Sequence, residues 1–237
     1  MENSFVNDLF EKFFNNEPGI VSQLPITIYQ LYDILCICHD LTKDYPDESH
    51  NLQHHLDVFG NAMHIYSDIG IQAEWKNDAI ILITYATLLH DTIDRKYPKN
   101  METKIIKLHN FIETVLPKKH SDNVMWIMKN ISYSTEVKNG YPVHNDPLVQ
   151  LVRDIVSDAD KIEALGEMGL KRCREYTKSE NPELSYDEIE QLVLQHCHDK
   201  LLKLKDQYIR TIPGKKIAEP VHKIIVDYAN NAALQKI

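Results

Sequence analysis

Apolar residues recur every three or four positions along most of this chain, the spacing that collects them on one face of an α-helix. Two stretches show the pattern best: Leu52, Leu56, Phe59, Met63 and Tyr66, and then Ile189, Val193, Cys197, Leu201, Leu204 and Tyr208. Segments that alternate polar and apolar residues, as half-buried strands do, are nearly absent. The sequence therefore predicts an all-α fold, a single helical bundle of about eight or nine helices.

Helix-start signals help to place these helices. Asp146 precedes Pro147, which suits the first turn of a helix, and Ser185 with Glu188 has the form of a capping box. The predicted helices cover residues 27–43, 50–68, 76–91, 101–116, 122–134, 147–165, 167–177, 186–209 and 214–234. Connections are predicted at residues 95–100, 117–121, 135–146 and 178–185. We divide the chain into an amino-terminal lead-in, residues 1–25, and one domain, residues 26–237.

The charge balance limits the partners of this chain. Its 237 residues include 26 Lys and Arg against 35 Asp and Glu, a net charge of −9. This excludes a broad electrostatic grip on a nucleic-acid polymer or on an anionic membrane. The longest apolar stretch, residues 79–89, is too short to cross a bilayer, and the amino terminus lacks the basic segment of a secretory signal. We expect a cytoplasmic protein with four free, buried cysteines, and the sequence does not indicate its oligomeric state.

Histidine next to aspartate occurs three times, and context separates the three dipeptides. His39-Asp40 has no histidine upstream, and His198-Asp199 lies in a charged stretch. His90-Asp91 follows the most apolar segment of the chain, which predicts a buried helix that carries two polar groups into the interior. Burying them without partners would cost several kcal/mol, so a metal ion or another strong partner is expected there.

Two further segments could supply the same site. His54 lies four residues after His50 and shares a helical face with Val58, Ala62 and Ile65. Asp158 and Asp160 lie about 200° apart around a predicted helix, so only one of them can face inward. Taken alone, each segment has a simpler interpretation: a core histidine satisfied by hydrogen bonds in the first, a run of surface acids in the second.

Taken together, the order His54, His90-Asp91 and Asp160 resembles the metal-ligand order of the HD-domain metal-dependent phosphohydrolases. Longer blocks resemble the bacterial single-domain subgroup called YpgQ-like. They are Ser49-His50-Asn51-Leu-Gln-His54, Leu88-Leu-His-Asp-Thr-Ile-Asp94-Arg95-Lys96-Tyr97, Asn130-Ile-Ser132-Tyr-Ser134, Asp158-Ala-Asp160-Lys-Ile-Glu-Ala-Leu-Gly166 and Lys200-Leu-Leu-Lys-Leu-Lys. The resemblance implies an all-α fold and hydrolysis of a phosphoester or phosphoanhydride bond in a nucleotide or related metabolite. Some relatives are nucleotide pyrophosphohydrolases.

The resemblance also implies roles for single residues. The metal ligands would be His54, His90, Asp91 and Asp160, the last chosen over Asp158 because it directly precedes the basic Lys161. The ion would be divalent, with Mn²⁺ expected first and Mg²⁺, Co²⁺, Ni²⁺ or Fe²⁺ also compatible. The catalytic groups would be Asp94, which would orient or deprotonate the attacking water, with His50 and Lys161 near the phosphates. Further candidates for contacts to the anionic substrate are Arg95, Lys96 and Arg172.

Three positions depart from the subgroup's usual pattern. Asp57 stands where an arginine is usual, Asn51 where an acid is usual, and Glu163 where an aspartate is usual. Two alternative functions also stay open. One is a di-iron HD-domain oxygenase, for which His120 and His144 would have to supply further ligands. The other is a metal-containing binding or regulatory module without turnover.

Overall fold

The computed structural model describes residues 2–45, 51–93 and 99–234. Within these ranges the chain forms twelve α-helices and no strand, which confirms the all-α prediction. The helices are α1 (Glu2–Asn16), α2 (Pro18–Val21), α3 (Ile28–Thr42), α4 (Leu52–Asp68), α5 (Lys76–Leu89), α6 (Met101–Val115), α7 (Lys118–Lys129), α8 (Tyr133–Asn139), α9 (Pro147–Glu163), α10 (Gly166–Glu180), α11 (Tyr186–His196) and α12 (Ile212–Leu234).

The described part of the chain holds more helices than predicted because short segments are helical too. α1 and α2 lie within the predicted lead-in, and α8 reaches into the predicted connection 135–146. The connection predicted at 117–121 is wrong: α7 begins at Lys118, directly after Pro117, whose fixed φ suits a helix start. The helix predicted at 186–209 continues past His196 as two wider π-helical turns, Cys197–Leu201 and Leu204–Tyr208.

The helix predicted at 122–134 is interrupted between α7 and α8, and buried side chains of α9 explain why. The carbonyl of Asn130 accepts a hydrogen bond of 2.7 Å from Arg153 Nε, and the carbonyl of Ile131 accepts one of 3.1 Å from Ser157 Oγ. Both donors are buried. Because these carbonyls bond across to α9, they are not available to continue the helix.

α5 forms the centre of the bundle and packs against α3, α4, α7 and α9. From Ala79 to Leu89 nearly every residue is buried. The Thr84 and Thr87 hydroxyls each donate a 2.7 Å hydrogen bond to the carbonyl four residues earlier, which satisfies them inside the core. The carboxyl end of α5 therefore carries His90 and Asp91 into the interior.

The predicted lead-in packs onto the same core. α1 contacts α3, Val6 and Ile20 are buried, and the Phe13 ring lies 5.7 Å from the Phe59 ring. The division of the chain at residue 25 stays a prediction.

Over the described ranges, no helix combines the length and the apolar character that a bilayer crossing requires. The four cysteines are free; Cys38 and Cys197 are buried, and Cys36 and Cys173 are partly buried.

Candidate metal centre

Four side chains from three distant parts of the sequence converge between α4, α5 and α9. His54 Nε2 lies 3.3 Å from His90 Nε2, 3.6 Å from an Asp91 carboxylate oxygen and 3.8 Å from one of Asp160. His90 Nε2 lies 3.3 Å from Asp91 and 3.6 Å from Asp160. All four donor atoms fall within 4.8 Å of one another, the one such group among the residues the structure describes. The structure therefore brings together all four predicted ligands.

The first turn of α4 places His54. The Asn51 side chain caps this helix by accepting a 3.0 Å hydrogen bond from the His54 backbone N–H. His54 itself is 6% exposed. α4 packs along α9 and α5, so the imidazole enters the space between their ends. Asn51, one of the three departures from the subgroup pattern, therefore has a structural function here as a helix cap.

A backbone carbonyl fixes the ring of His90. The Nδ1 atom lies 2.7 Å from the carbonyl oxygen of Thr87. Since a carbonyl only accepts hydrogen bonds, Nδ1 carries a proton there, and the neutral form of His90 has its lone pair on Nε2, which faces the other three donors. This is the tautomer that a metal-ligating histidine adopts when its second nitrogen bonds a backbone carbonyl.

Tyr45 secures the chain beside Asp91. The tyrosine hydroxyl lies 3.2 Å from the carbonyl oxygen of Asp91 and 2.9 Å from that of Thr92, to which it donates. The Thr92 hydroxyl in turn donates to the Leu89 carbonyl at 2.7 Å. These bonds fix the backbone at the carboxyl end of α5. Sequence analysis did not identify Tyr45, because no local pattern marks a contact between residues 46 positions apart.

Asp158 and Asp160 face opposite directions from α9. The Asp158 carboxylate is fully buried and accepts hydrogen bonds of 2.8 Å from the Arg210 backbone N–H and of 2.7 and 2.8 Å from the Thr211 backbone and hydroxyl. It therefore fixes the chain where α12 begins. Asp160, partly exposed, faces His54 and His90.

The electrostatics of the centre favour a bound cation. Burial lowers the pKa of His54 to about 4, so this ring is neutral near pH 7. Burial also acts to lower the pKa of His90, but the carboxylates of Asp91 and Asp160 outweigh it and hold that pKa well above its ordinary value. Burial acts to raise the pKa of Asp160, and His90 reverses the effect, so that this pKa lies well below its usual range. The two carboxylates thus need a positive charge beside them, which either a protonated His90 or a bound cation supplies.

A divalent ion meets that requirement. Donors bound at about 2.0–2.2 Å to one ion lie about 3–4.4 Å apart. The five distances given above run from 3.3 to 3.8 Å and fall inside this range. Two imidazole nitrogens and two carboxylate oxygens form a donor set that suits Mn, Fe, Co, Ni and Zn. The group can hold a divalent metal ion.

Arg172, predicted as a contact to the substrate, lies against the centre. Its Nη1 atom is 2.6 Å from His54 Nδ1. Its Nη2 atom donates to the Glu163 backbone carbonyl and lies 3.3 Å from the Glu163 carboxylate. Sequence analysis named Arg172 as a possible cation for the substrate but did not predict its contact with a ligand histidine.

Lys161, predicted to lie near the phosphates, belongs to a buried ion network on another side of α9. Its ammonium group donates to the Ser157 hydroxyl and lies 3.3 Å from the Ile131 carbonyl and 3.5 Å from Glu136. Arg153 and Arg210 bind the same Glu136 carboxylate. Although burial acts to raise the pKa of Glu136, the three cations lower it below its ordinary value. These contacts hold α8, α9 and the start of α12 together, so the described partners of Lys161 are structural.

Asp57 and Glu163 both lie near the Arg172 guanidinium. They line a groove of about 420 Å³ between α1, α4 and the start of α10, together with Lys12 and Phe13. Burial raises the pKa of Asp57 and raises that of Glu163 to about 7, the latter against the opposing effect of Arg172. The Asp57 carboxylate accepts a hydrogen bond of 2.8 Å from the Gln53 side chain, on the same helix.

The remaining predicted residues fall into two sets. His50, Asp94, Arg95 and Lys96 fall outside the described residues. The two histidines offered for a di-iron site are remote from the centre: His120 lies 3.2 Å from Asp78, and the His144 ring lies 4.5 Å from the Trp126 ring. The described residues therefore give the oxygenase alternative no second set of ligands from these histidines.

Comparison with known proteins was made by sequence and by structure. The sequence matches no family model. It is 26% identical over 150 residues to the uncharacterized protein YpgQ of Bacillus subtilis (strain 168), over 63% of this chain and 69% of that protein. A protein of Lactobacillus plantarum superposes with a TM-score of 0.66 at 21% identity, over 89% of this chain and 98% of that one.

The names of two further crystal structures state a bound ligand or a superfamily. Bacillus subtilis YpgQ in complex with ADP has a TM-score of 0.59 at 21% identity, over 84% of this chain and 95% of that one. An HD-superfamily hydrolase from Bacillus thuringiensis has a TM-score of 0.59 at 20% identity, over 87% and 96% of the two chains. The chain has the YpgQ-like HD-domain fold. The resemblance predicted from the motifs is thereby confirmed, and the convergent His and Asp side chains lie within an HD-domain scaffold.

Proposed function

We propose that this chain is a divalent-metal-dependent phosphohydrolase that cleaves a phosphoanhydride or phosphoester bond of a nucleotide. The observation that carries the proposal is the centre itself, where the His54 and His90 Nε2 atoms stand 3.3 Å apart and each lies 3.3–3.8 Å from the Asp91 and Asp160 carboxylates. The crystal structure of YpgQ with ADP supports a nucleotide as the ligand class. Mn²⁺ is the ion we propose first, and nucleoside triphosphate pyrophosphohydrolysis the first reaction to test.

Each of these residues would have its own role in the reaction. His54, His90, Asp91 and Asp160 would hold the ion, which when bound lowers the pKa of a water and withdraws charge from phosphorus. Thr87 fixes the ring of His90 through its carbonyl, so this ligand needs no reorientation. The Arg172 guanidinium is the described cation beside the centre that could contact a phosphoryl oxygen.

The residues near the centre in sequence that lie outside the described ranges enter the proposal through the sequence alone. Asp94, three residues after Asp91, would accept or orient the proton of the attacking water. His50, Arg95 and Lys96 would approach the phosphates, and Lys161 would act on them only through the position of Asp160. Because the metal ion and nearby basic residues would supply positive charge at the site, a chain of net charge −9 can still bind an anionic substrate there.

The decisive experiment measures phosphate and pyrophosphate release from a panel of nucleotides with Mn²⁺, Mg²⁺, Co²⁺ or Ni²⁺. We expect release by the wild type to require the metal and to disappear in Asp91→Ala. Asp122→Ala, which removes an exposed aspartate on α7, is the matched control and should keep full activity. Undiminished release by Asp91→Ala would reject the proposal, and nucleotide binding without any release would favour the binding-module alternative.

A further inference from the structure

The contact between Arg172 and His54 has a chemical consequence for the metal centre. A guanidinium has five N–H donors and no acceptor. With Nη1 at 2.6 Å, His54 Nδ1 can only be the acceptor of that hydrogen bond. A neutral imidazole with a lone pair on Nδ1 carries its proton on Nε2. That nitrogen is the one that faces His90, Asp91 and Asp160.

The neighbouring histidine is fixed in the opposite way. His90 Nδ1 lies against the Thr87 carbonyl, which only accepts, so its Nδ1 carries a proton. His90 can therefore ligate through Nε2 while its Nδ1 proton stays in place, whereas His54 must move its proton from Nε2 to Nδ1. Once Nδ1 carries that proton, it can no longer accept from Arg172.

We propose that the Arg172–His54 hydrogen bond and metal ligation by His54 exclude each other, so that an ion entering the centre displaces the guanidinium from Nδ1. Arg172 is thereby a positioning residue that competes with the metal for one ligand. Its other partners are the backbone carbonyl and the carboxylate of Glu163, nine positions earlier in the sequence, and they retain the side chain when the contact with His54 breaks. The proposal rests on the metal centre of the proposed function.

The first test reads the tautomer of His54 directly. Ring ¹⁵N chemical shifts are recorded on the full chain before and after addition of Zn²⁺, a diamagnetic probe, with His54→Gln used for assignment. We expect the His54 proton on Nε2 without Zn²⁺ and on Nδ1 with it, while His90 keeps its proton on Nδ1 in both. A proton on Nδ1 of His54 before Zn²⁺ is added, or no change on binding, overturns the inference.

The second test measures Mn²⁺ affinity by calorimetry in the absence of any substrate. Arg172→Met keeps much of the apolar stem but removes the donor, and we expect it to bind Mn²⁺ about tenfold more tightly than the wild type, since a hydrogen bond from a charged donor no longer has to break. Arg174→Met removes the same charge from the same helix, where Arg174 pairs with Glu190, and should leave the affinity unchanged.

The outcomes separate this inference from the function on which it rests. Equal or weaker Mn²⁺ binding by Arg172→Met, with normal binding by the wild type, overturns the role of Arg172 and leaves the metal centre intact. Failure of the wild type to bind either ion overturns both. If Arg172→Met does not fold, the tautomer measurement on the wild type still decides the question.

Discussion

At the scale of single residues, two aspartates on one helix show how position decides chemistry. Asp158 and Asp160 are two residues apart in α9, and the rotation of the helix turns them to different sides. Asp158 accepts backbone hydrogen bonds from the residues before α12, and burial raises its pKa to about 6 in spite of them. Asp160 faces two imidazoles. The first carboxylate is therefore structural, and the second is the proposed ligand.

Substituting each aspartate separately tests this division. We expect Asp160→Asn to weaken Mn²⁺ binding by at least about a hundredfold, because a charged ligand is lost. Asp158→Asn should keep the metal affinity close to that of the wild type but lower the free energy of unfolding by about 1–3 kcal/mol, since buried donors of Arg210 and Thr211 lose their acceptor. Calorimetric titration and urea unfolding measure the two effects. Equal losses of affinity in both variants would contradict the assignment.

Glu163 gives the stability of the protein a dependence on pH. Its pKa is about 7 in the folded chain, chiefly through burial, against an ordinary value of 4.5. Between these two pH values the folded state therefore binds more protons than the unfolded state. The stabilising contribution of Glu163 to the free energy of unfolding is thus fully present below pH 4.5 and is lost as the pH rises through 7.

Comparison of the wild type with Glu163→Gln isolates that contribution. We expect the unfolding free energy of the wild type, relative to the variant, to fall by on the order of 2 kcal/mol between pH 5 and pH 8. Urea unfolding in the presence of a chelator measures it without interference from bound metal. A difference that stays constant over this pH range would contradict the assigned burial of the carboxyl group.

The sequence could predict the proposed ligands because each lies at a recognisable place on a helix. His90 and Asp91 follow a segment too apolar to lie on the surface, and His54 shares a face with apolar residues. The bonds that hold these ligands could not be predicted. Arg172 is 118 positions from His54, and Tyr45 is 46 from Asp91, so only the packed bundle brings them together.

At the scale of elements, the junction between α9 and α10 connects the helix of Asp160 to the helix of Arg172. Gly166 begins α10 with a φ of +73°, a conformation that favours glycine. One turn later the backbone of Gly169 lies so close to the end of α9 that an added Cβ would be 2.1 Å from the Ala164 carbonyl oxygen. The two helices can meet this closely only without a side chain at position 169.

Gly169→Ala should therefore destabilise the protein by about 2 kcal/mol or more, because backbone rather than a flexible side chain must give way. It should also disturb Arg172, which follows on the same helix. Gly60→Ala is the matched control: the new Cβ in α4 would meet only Phe13, at 4.0 Å, and removing a helical glycine stabilises by about 0.5–1 kcal/mol. Thermal unfolding compares the two. A Gly169→Ala variant as stable as Gly60→Ala would show that this junction is not tightly packed.

Helix existence was easier to predict than helix ends. α4 was predicted from an apolar face that repeats over several turns, α5 from its long apolar run, and the start of α9 from Asp146 and Pro147. The break before α8 was missed because it depends on Arg153 and Ser157, which reach the carbonyls of Asn130 and Ile131 from another helix. α1 and α2 were missed as helices because only part of each faces the core, at Val6 and Ile20.

At the scale of the whole molecule, a chain of net charge −9 concentrates two of its carboxylates in one interior centre. This arrangement links metal binding to folding. The four donors come from three segments that meet only in the folded bundle, so an ion binds the folded chain far better than the unfolded one. Any such ion stabilises the native state by mass action.

Thermal unfolding with and without Mn²⁺ tests this linkage. At a free concentration of a hundred times the dissociation constant, the ion should add about 2.7 kcal/mol to the unfolding free energy. For a chain of this size that corresponds to a rise in Tm of roughly 5–10 °C. Asp91→Ala should show no rise, and the surface variant Asp122→Ala should show the full one. A rise of the same size in Asp91→Ala would place the stabilising ion elsewhere and would remove the physical basis for treating these four side chains as one centre.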